Sequence, residues 1–471
     1  MQSRTAADAR LEKDTDVSDT PAAGTLTIFN VLPRLYNTSI RIGGCRRHSY
    51  FYFACIDEKV LAADSLNPLH AGKETMINEE YISMLGKKSV IRELSEYATA
   101  RAKEIGAENV YDFSLGNPSV PTPQSFDDTI IDLVKTMDSV SLHGYSPSNG
   151  LPEAKQQVAD SLNRRFDMDY TANHIFPTSG AAGAIAHALR AVVRPGETVL
   201  VFAPYFPEYN PYITFTGAKI RVVPANFRDF QVNFDVLDEY LTSDVAAILI
   251  NSPNNPSGAV YSEETLQRLF DVCRAKEKEY GHSTFIISDE PYREISFDGK
   301  KVPYTAKFYD NTLTCYSFSK SLSIPGERIG YVAVNPRCEK ADRLVPVMAQ
   351  ISRGIGHNCP SSLICRAMGK CVDITSDLSV YETNMNLLYD TFVRLGFTVV
   401  RPGGTFYIFP KALEEDANAF CRKALKYDLV FVPGDSFGGP GYFRVAYCLD
   451  TDKVKRSLPV IEKFVRSEYP A

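Results

Sequence analysis

From residue 110 to residue 334 brief apolar runs alternate with longer mixed stretches, and this rhythm restricts the fold more than any other feature of the chain. The runs VYDFSL, TVLVFA, AAILINS, TFIISDE, LTCYSFS and RIGYVAV are rich in Val, Ile and Phe and are punctuated by Gly, Pro, Asn or Asp. Stretches long enough for helices, LPEAKQQVADSLNRRF among them, separate such runs. A strand that is apolar on both faces needs cover on both, so the pattern predicts an α/β fold with a mostly parallel sheet flanked by helices. After residue 360 the rhythm changes to helices with a few separate strands, TVVRPGGTFYIF and FRVAYCL, which predicts a second, smaller α+β domain.

A chain of 471 residues exceeds what one hydrophobic core organises, in line with two domains. Residues 1–75 show no useful periodicity and read as an N-terminal extension, either disordered, a small appendage, or sequence upstream of a true start at Met76. The stretch MLGKKSVIRELSEYATARAKEI follows, and its apolar Val90, Leu94 and Tyr97 predict one face of a helix. The expected division is therefore an extension (1–75), an N-terminal arm with part of the small domain (76–120), a large domain (121–355) and a small C-terminal domain (356–471).

Several function classes are disfavoured by composition. A formal net charge of −6 gives no basic surplus for a polyanion, and residues 1–75 balance nine Lys or Arg against nine Asp or Glu. The ten cysteines include no C-x2-C pair, so neither a zinc site nor a disulfide framework is expected. No stretch approaches the roughly 20 apolar residues of a membrane helix, and the charged first thirty residues lack the apolar core of a signal peptide. The expectation is a reduced, cytoplasmic enzyme without metal, membrane or nucleic-acid partner.

The polar residues that collect at the expected strand ends carry the chemistry. In FPTSGAAGAIAHALRAVV a helix is expected to begin near Ala181, and its free N–H groups would suit a phosphate, although Ser179 could simply cap it. NSPNNPSG fixes Asn255 between prolines at a strand end, or is a plain turn. Asp289 ends the run FIISD, where a carboxylate needs a cation or hydrogen-bond donors unless it caps the next element, and Tyr292 lies three residues on. SFSKSLSIPGERIGY surrounds Lys320 with serines and follows it with Arg328, the neighbours a lysine beside a bound phosphate would use. Arg444 stands alone in the apolar GYFRVAYC and needs an anion, either an internal carboxylate or a substrate.

Taken in order, GNP, Y-x-P-x-x-G, SGAAG, PYFPEY, NSPNNPSG, SDEPY, SFSKSLSIPGERIGY and FRVAY resemble the motif set of the class I/II pyridoxal-phosphate aminotransferases of fold type I, over about residues 76–471. The resemblance implies a seven-stranded large-domain sheet, pyridoxal 5'-phosphate as cofactor, and Lys320 as its Schiff-base lysine. It implies a phosphate cradle of Gly180, Ala181, Ala182, Ser317, Ser319 and Arg328, and ring stacking by Phe206. Asn255 and Tyr292 are implied partners of the phenolic oxygen, and Asp289 of the pyridine nitrogen. Tyr145 in HGYSPSNG resembles the tyrosine that reaches a neighbouring subunit's phosphate, which implies a homodimer with shared sites. Gly116 and Arg444 are implied holders of the substrate α-carboxylate.

The activity so implied is transfer of an amino group from an L-amino acid to a 2-oxo acid by a ping-pong cycle. The same fold and lysine also serve β-eliminating C–S lyases, and a third alternative is an aminotransferase-like regulator. One departure from the family is IPGER before Arg328, where many members carry a threonine-glycine-tryptophan step, which places Glu327 near the expected phosphate site. No arginine for a distal substrate carboxylate is identifiable from the sequence.

Overall fold

The computed structural model describes residues 81–82 and 89–470, all within the unit Glu79–Ala471, so the expected extension over 1–75 lies outside the described residues. Strand β1, Tyr111–Asp112, precedes a seven-stranded sheet built from β2 (Ile175–Thr178), β3 (Thr198–Phe202), β4 (Lys219–Val223), β5 (Val245–Asn251), β6 (Phe285–Asp289), β7 (Thr312–Ser317) and β8 (Gly330–Val334). The spatial order is β2-β8-β7-β6-β5-β3-β4. β8 runs antiparallel to both of its neighbours and every other pairing is parallel.

The period-2 alternation of side chains explains why these runs are apolar throughout. Val199, Val201, Ala247 and Leu249 face the helix Gly180–Val192, where they pack with Ala184, Ala188 and Leu189. The intervening Leu200, Phe202, Ile248 and Ile250 point the other way, into a core with Leu266, Leu269 and Phe270 of the helix Glu263–Tyr280. Each such side chain contributes about 1.5–3 kcal/mol on full burial, so both layers are needed to hold the sheet.

Several expectations require correction. VYDFSL does not join the large sheet: β1 pairs in parallel with β10 (Leu429–Val430), and Phe113 is buried with Phe431 and Phe443 in the C-terminal core. Strands β2 and β4 escaped the periodicity argument because IFPT is short and carries a proline, while KIRVV lies at the sheet edge, largely half-exposed. In TVVRPGGTFYIF only β9, Tyr407–Ile408, is extended into a ladder, since Pro402, Gly403 and Gly404 interrupt the run. It joins a sheet of order β11-β12-β9 with β11 (Val432–Pro433) and β12 (Phe443–Ala446). The helix Val90–Ile105 forms as expected, but Tyr97 is exposed and Ala98, Ala102 and Ile105 lie on the packed face instead.

The contents of the cores bear on the boundary expected at residue 355. Ile364, Cys365, Ala367 and Met368 of the helix Ser362–Lys370 share a core with Ala154, Val158 and Leu162 of the helix Pro152–Phe166. The C-terminal core begins with Tyr381 of the helix Ser379–Arg394. We therefore propose that the large domain extends past Cys371.

Candidate active site

Three neighbouring strands of the large sheet end on polar residues, Asn251 on β5, Asp289 on β6 and Ser317 on β7, and all three line a cavity of about 400 Å³. Carboxyl ends of parallel strands are where open α/β sheets bind ligands. Asn251 braces the site from within, donating from Nδ2 to the Asp289 carbonyl at 2.8 Å and accepting from the Asn255 backbone N–H at 2.7 Å.

Asp289 is buried, and its Oδ2 accepts a hydrogen bond from the Tyr209 hydroxyl at 2.5 Å. Its other oxygen, Oδ1, is buried without any hydrogen-bond partner. Burial raises the carboxyl to about 7, the Tyr209 bond pulls the other way, and the nearby Glu290 raises it further. A carboxylate in this state is matched to a cationic N–H that would occupy the cavity.

Lys320 lies half-buried in the short helix Phe318–Ser321 and donates from Nζ to the Gly116 carbonyl at 2.8 Å, with Nζ 5.4 Å from the Phe406 ring centroid. Burial lowers its ammonium to about 8; Cys448 opposes the shift, and the positive Arg328 and Arg444 add to it. Such an amine is available as a base near neutral pH. Gly116 is required by the packing, since a Cβ there would stand 1.8 Å from the Tyr407 hydroxyl.

Arg444 is 1% exposed and has no carboxylate within ion-pair distance among the described residues. Its guanidinium donates to the Ser114 carbonyl and to Asn255 Oδ1 at 3.1 Å, lies over the Tyr407 and Phe437 rings, and keeps Nε buried and unpaired. The alternative of an internal acidic partner is thereby excluded for these residues, and the guanidinium is left with capacity for an anion from outside the protein. Tyr292 and Tyr407 pair their hydroxyls at 3.2 Å beside it, and burial holds both phenols protonated.

Another part of the lining is rich in hydrogen-bond donors. The helix Gly180–Val192 starts with Gly180 at φ +74°, and Ser179 makes no side-chain cap bond, so the first N–H groups are not consumed by a cap. A Cβ on Gly180 would come within 3.0 Å of the Arg328 guanidinium, so the glycine is what admits that cation to the helix end. Ala181, Ala182, Ser317, Ser319 and Arg328 line the cavity. Ser317 and Ser319 stand 2.8 Å apart through their hydroxyls, and Arg328 donates to the Pro325 and Ser179 carbonyls at 2.9 and 3.4 Å. Helix N–H groups, two hydroxyls and a guanidinium form a donor set suited to phosphate.

Phe206 lines the same cavity, edge-on to Tyr209 at 5.8 Å between ring centroids. Gly180 itself is not among the residues that line it. Tyr145 does not line the cavity of its own chain either, and it is fully exposed. Glu327 is likewise exposed and outside the cavity, whereas Pro325 and Arg328 of the same IPGER segment line it.

Sequence reasoning missed Tyr209, Asn251, Tyr407, Arg92 and Cys448. Tyr209 is the last residue of the quoted PYFPEY and Asn251 the first of NSPNNPSG, and the need of a buried Asp289 for donors could have found them. The other three meet the site only through tertiary packing. Among the described residues no cluster of His, Cys, Asp or Glu could hold a metal ion, and no helix is long and apolar enough to cross a membrane.

A donor set suited to phosphate, a lysine of lowered basicity, a buried carboxylate with a free oxygen and a buried arginine with no carboxylate partner among the described residues lie together at the carboxyl edge of this sheet, an arrangement suited to a cofactor-dependent enzyme. The sequence model of "Aminotransferase class I and II" matches residues 108–461, and the chain belongs to that family, whose members use pyridoxal phosphate. A solved aminotransferase from Eubacterium rectale is 45% identical, with a TM-score of 0.81, and the match covers 84% of this chain and all of that one. Aspartate aminotransferase of Bacillus subtilis is 29% identical over 78% of this chain and 94% of its own length. A probable aspartate/prephenate aminotransferase of Aquifex aeolicus is 30% identical over the same shares. The chain is an aminotransferase, and the β-eliminating and regulatory alternatives are not favoured.

Proposed function

We propose that this aminotransferase binds pyridoxal 5'-phosphate in the cavity described and moves the amino group of an L-amino acid to a 2-oxo acid by a ping-pong cycle, with Lys320 as the proton-carrying amine. The observation that carries the assignment is the buried, unpartnered Oδ1 of Asp289, which fits the protonated ring nitrogen of that cofactor. The phosphate falls to Gly180, Ala181, Ala182, Ser317, Ser319 and Arg328, the ring face to Phe206, and the phenolic oxygen to Asn255 and Tyr292. When bound, the cofactor supplies an electron sink and an aldehyde carbon that carries nitrogen between the two substrates. Arg444, with Gly116, would grip the α-carboxylate and so orient the α-C–H bond toward the Lys320 amine. Lys320 would take the proton from the α-carbon of the amino donor and, in the second half of the cycle, supply one to the α-carbon of the amino acid formed.

Tyr145 has no role within its own cavity, and its full exposure supports a homodimer in which it reaches the phosphate seat of the neighbouring subunit. The eight cysteines among the described residues are all free thiols, which fits a reducing, cytoplasmic setting.

Arg92 bears on the substrate. It opens onto the cavity from the first turn of the helix Val90–Ile105, and among the described residues its guanidinium has no ion pair. Its positive charge acts on Tyr212 across the cavity, as does that of Arg328. With relatives named for aspartate, this supports a substrate bearing a second carboxylate. The deciding experiment is the visible spectrum of the purified protein before and after single amino acids. A yellow, borohydride-reducible band bleached by dicarboxylic amino acids is expected; a protein that stays colourless with added pyridoxal phosphate would overturn the assignment.

A further inference from the structure

Three consecutive carbonyls at the edge of the cavity are each held by a different side chain. The Ser114 carbonyl accepts from the Arg444 guanidinium, the Leu115 carbonyl from the Cys448 thiol at 3.5 Å, and the Gly116 carbonyl from Lys320 Nζ at 2.8 Å. Arg444 lies in β12 and Cys448 just beyond it, four residues on, so the period of an extended chain places both on one side. Upstream, the segment is pinned by Ala446 N–H donating to the Phe113 carbonyl at 2.9 Å and by Ser114 donating twice to Asp112 Oδ1, at 2.9 and 2.6 Å. Cys448 is 1% exposed, and burial pushes its thiol up to about 12, so it is protonated and a donor at neutral pH. The amino-transfer chemistry itself leaves this thiol without a task.

We infer that Cys448 is a positioning residue, one that fixes the Leu115 carbonyl and thereby sets both the Leu115 side of the cavity and the Gly116 carbonyl against which Lys320 is aimed. Leu115 and Gly116 both line the cavity, and Gly116 has no slack against the Tyr407 hydroxyl. Without the thiol, the Leu115 carbonyl keeps only the Asn117 N–H at 3.0 Å, a bond within the same turn that cannot tie the segment to β12. The inference rests on the reading of Lys320 as the proton-carrying amine.

The test compares Cys448→Ala, Cys448→Val and Cys448→Ser in the holoenzyme, by steady-state kinetics and by amide hydrogen exchange read by mass spectrometry. Val removes the donor while filling space, and it serves alone should Ala fail to fold; Ser keeps a donor. Removing one weak hydrogen bond is expected to lower kcat/KM about two- to five-fold in Ala and Val. Exchange should quicken over residues 111–117 and stay unchanged over β7, with Ser restoring both readouts toward wild type. Wild-type kinetics in Val, equal impairment in Ser and Val, or faster exchange spread over the whole chain would each overturn it. Exchange does not depend on the identity of the base. An active Lys320→Ala variant would therefore defeat the functional reading, whereas a loosened segment with unchanged kinetics would defeat the positioning role alone.

Discussion

The Tyr209 hydroxyl donates to Asp289 Oδ2 at 2.5 Å while Asp289 Oδ1 is buried and unpartnered, so a single carboxylate is half satisfied by the protein and half reserved. Tyr209 fixes the orientation of the carboxylate without neutralising it. The reserved oxygen makes the site costly in the absence of a ligand and selective in its presence.

That cost predicts a pH-dependent stability of the cofactor-free protein. The carboxyl is raised from 3.8 to about 7, so between these values the folded chain holds a proton that the unfolded chain has released. Stability therefore falls as pH rises through this window, by up to ~4 kcal/mol from this group. Asp289→Asn removes the titration and keeps an acceptor for Tyr209. The cofactor-free variant should gain thermal stability over wild type at pH 8 but little at pH 4, while its turnover falls sharply. Equal melting differences at the two pH values would show that Asp289 is ionised at no cost.

Lys320 gives a second pH signature. With its ammonium lowered to about 8, the amine fraction drops tenfold per pH unit below that value, so the rate of proton transfer should decline on the acid side. Lys320→Ala should abolish turnover while circular dichroism and gel filtration match wild type. Substantial residual transamination would assign the proton transfer to another group.

Arg444 donates to Asn255 and the Ser114 carbonyl but meets no carboxylate of the protein. Arg444→Ala should weaken amino-acid binding by about 2–4 kcal/mol, seen as a raised KM. Arg444→Lys should recover only part of this, because an ammonium cannot reproduce the planar fork. An unchanged KM would make the arginine a structural strut.

The sheet and most of the site were legible because local chemistry already implied them. Asp289 sits where an apolar strand stops, so a strand-end argument found it; Lys320 stood out by its serine and arginine neighbours, Ser317 came with the motif resemblance, and Arg444 was conspicuous as a lone charge in an apolar run. β4 was hidden because an edge strand exposes part of each residue and so mixes Lys219 and Arg221 among its apolar positions. Tyr407 was hidden because its hydroxyl gains meaning only when Gly116, nearly three hundred residues earlier, is folded against it. Tyr145 shows the opposite case: its place in the motif order was readable, yet its exposed side chain has no contact to explain it within one chain and acquires a role only with a second subunit.

Arg92 separates substrates by charge. It opens onto the cavity from the N-terminal helix with no ion pair among the described residues, and Glu208, which lines the same cavity, does not neutralise it within ion-pair distance. A substrate whose α-carboxylate is held by Arg444 and whose side chain extends toward Arg92 would gain a charge-assisted hydrogen bond worth about 1.5–3 kcal/mol if that side chain ends in a carboxylate, and nothing if it is apolar. Arg92→Gln should therefore raise the KM for aspartate, glutamate and 2-oxoglutarate by ten-fold or more while leaving alanine and leucine within about two-fold of wild type. Added salt should blunt the preference in the wild type and have no effect on it in the variant, since an exposed guanidinium is screened. Equal losses for charged and apolar substrates would place Arg92 among residues that shape the helix rather than read the substrate.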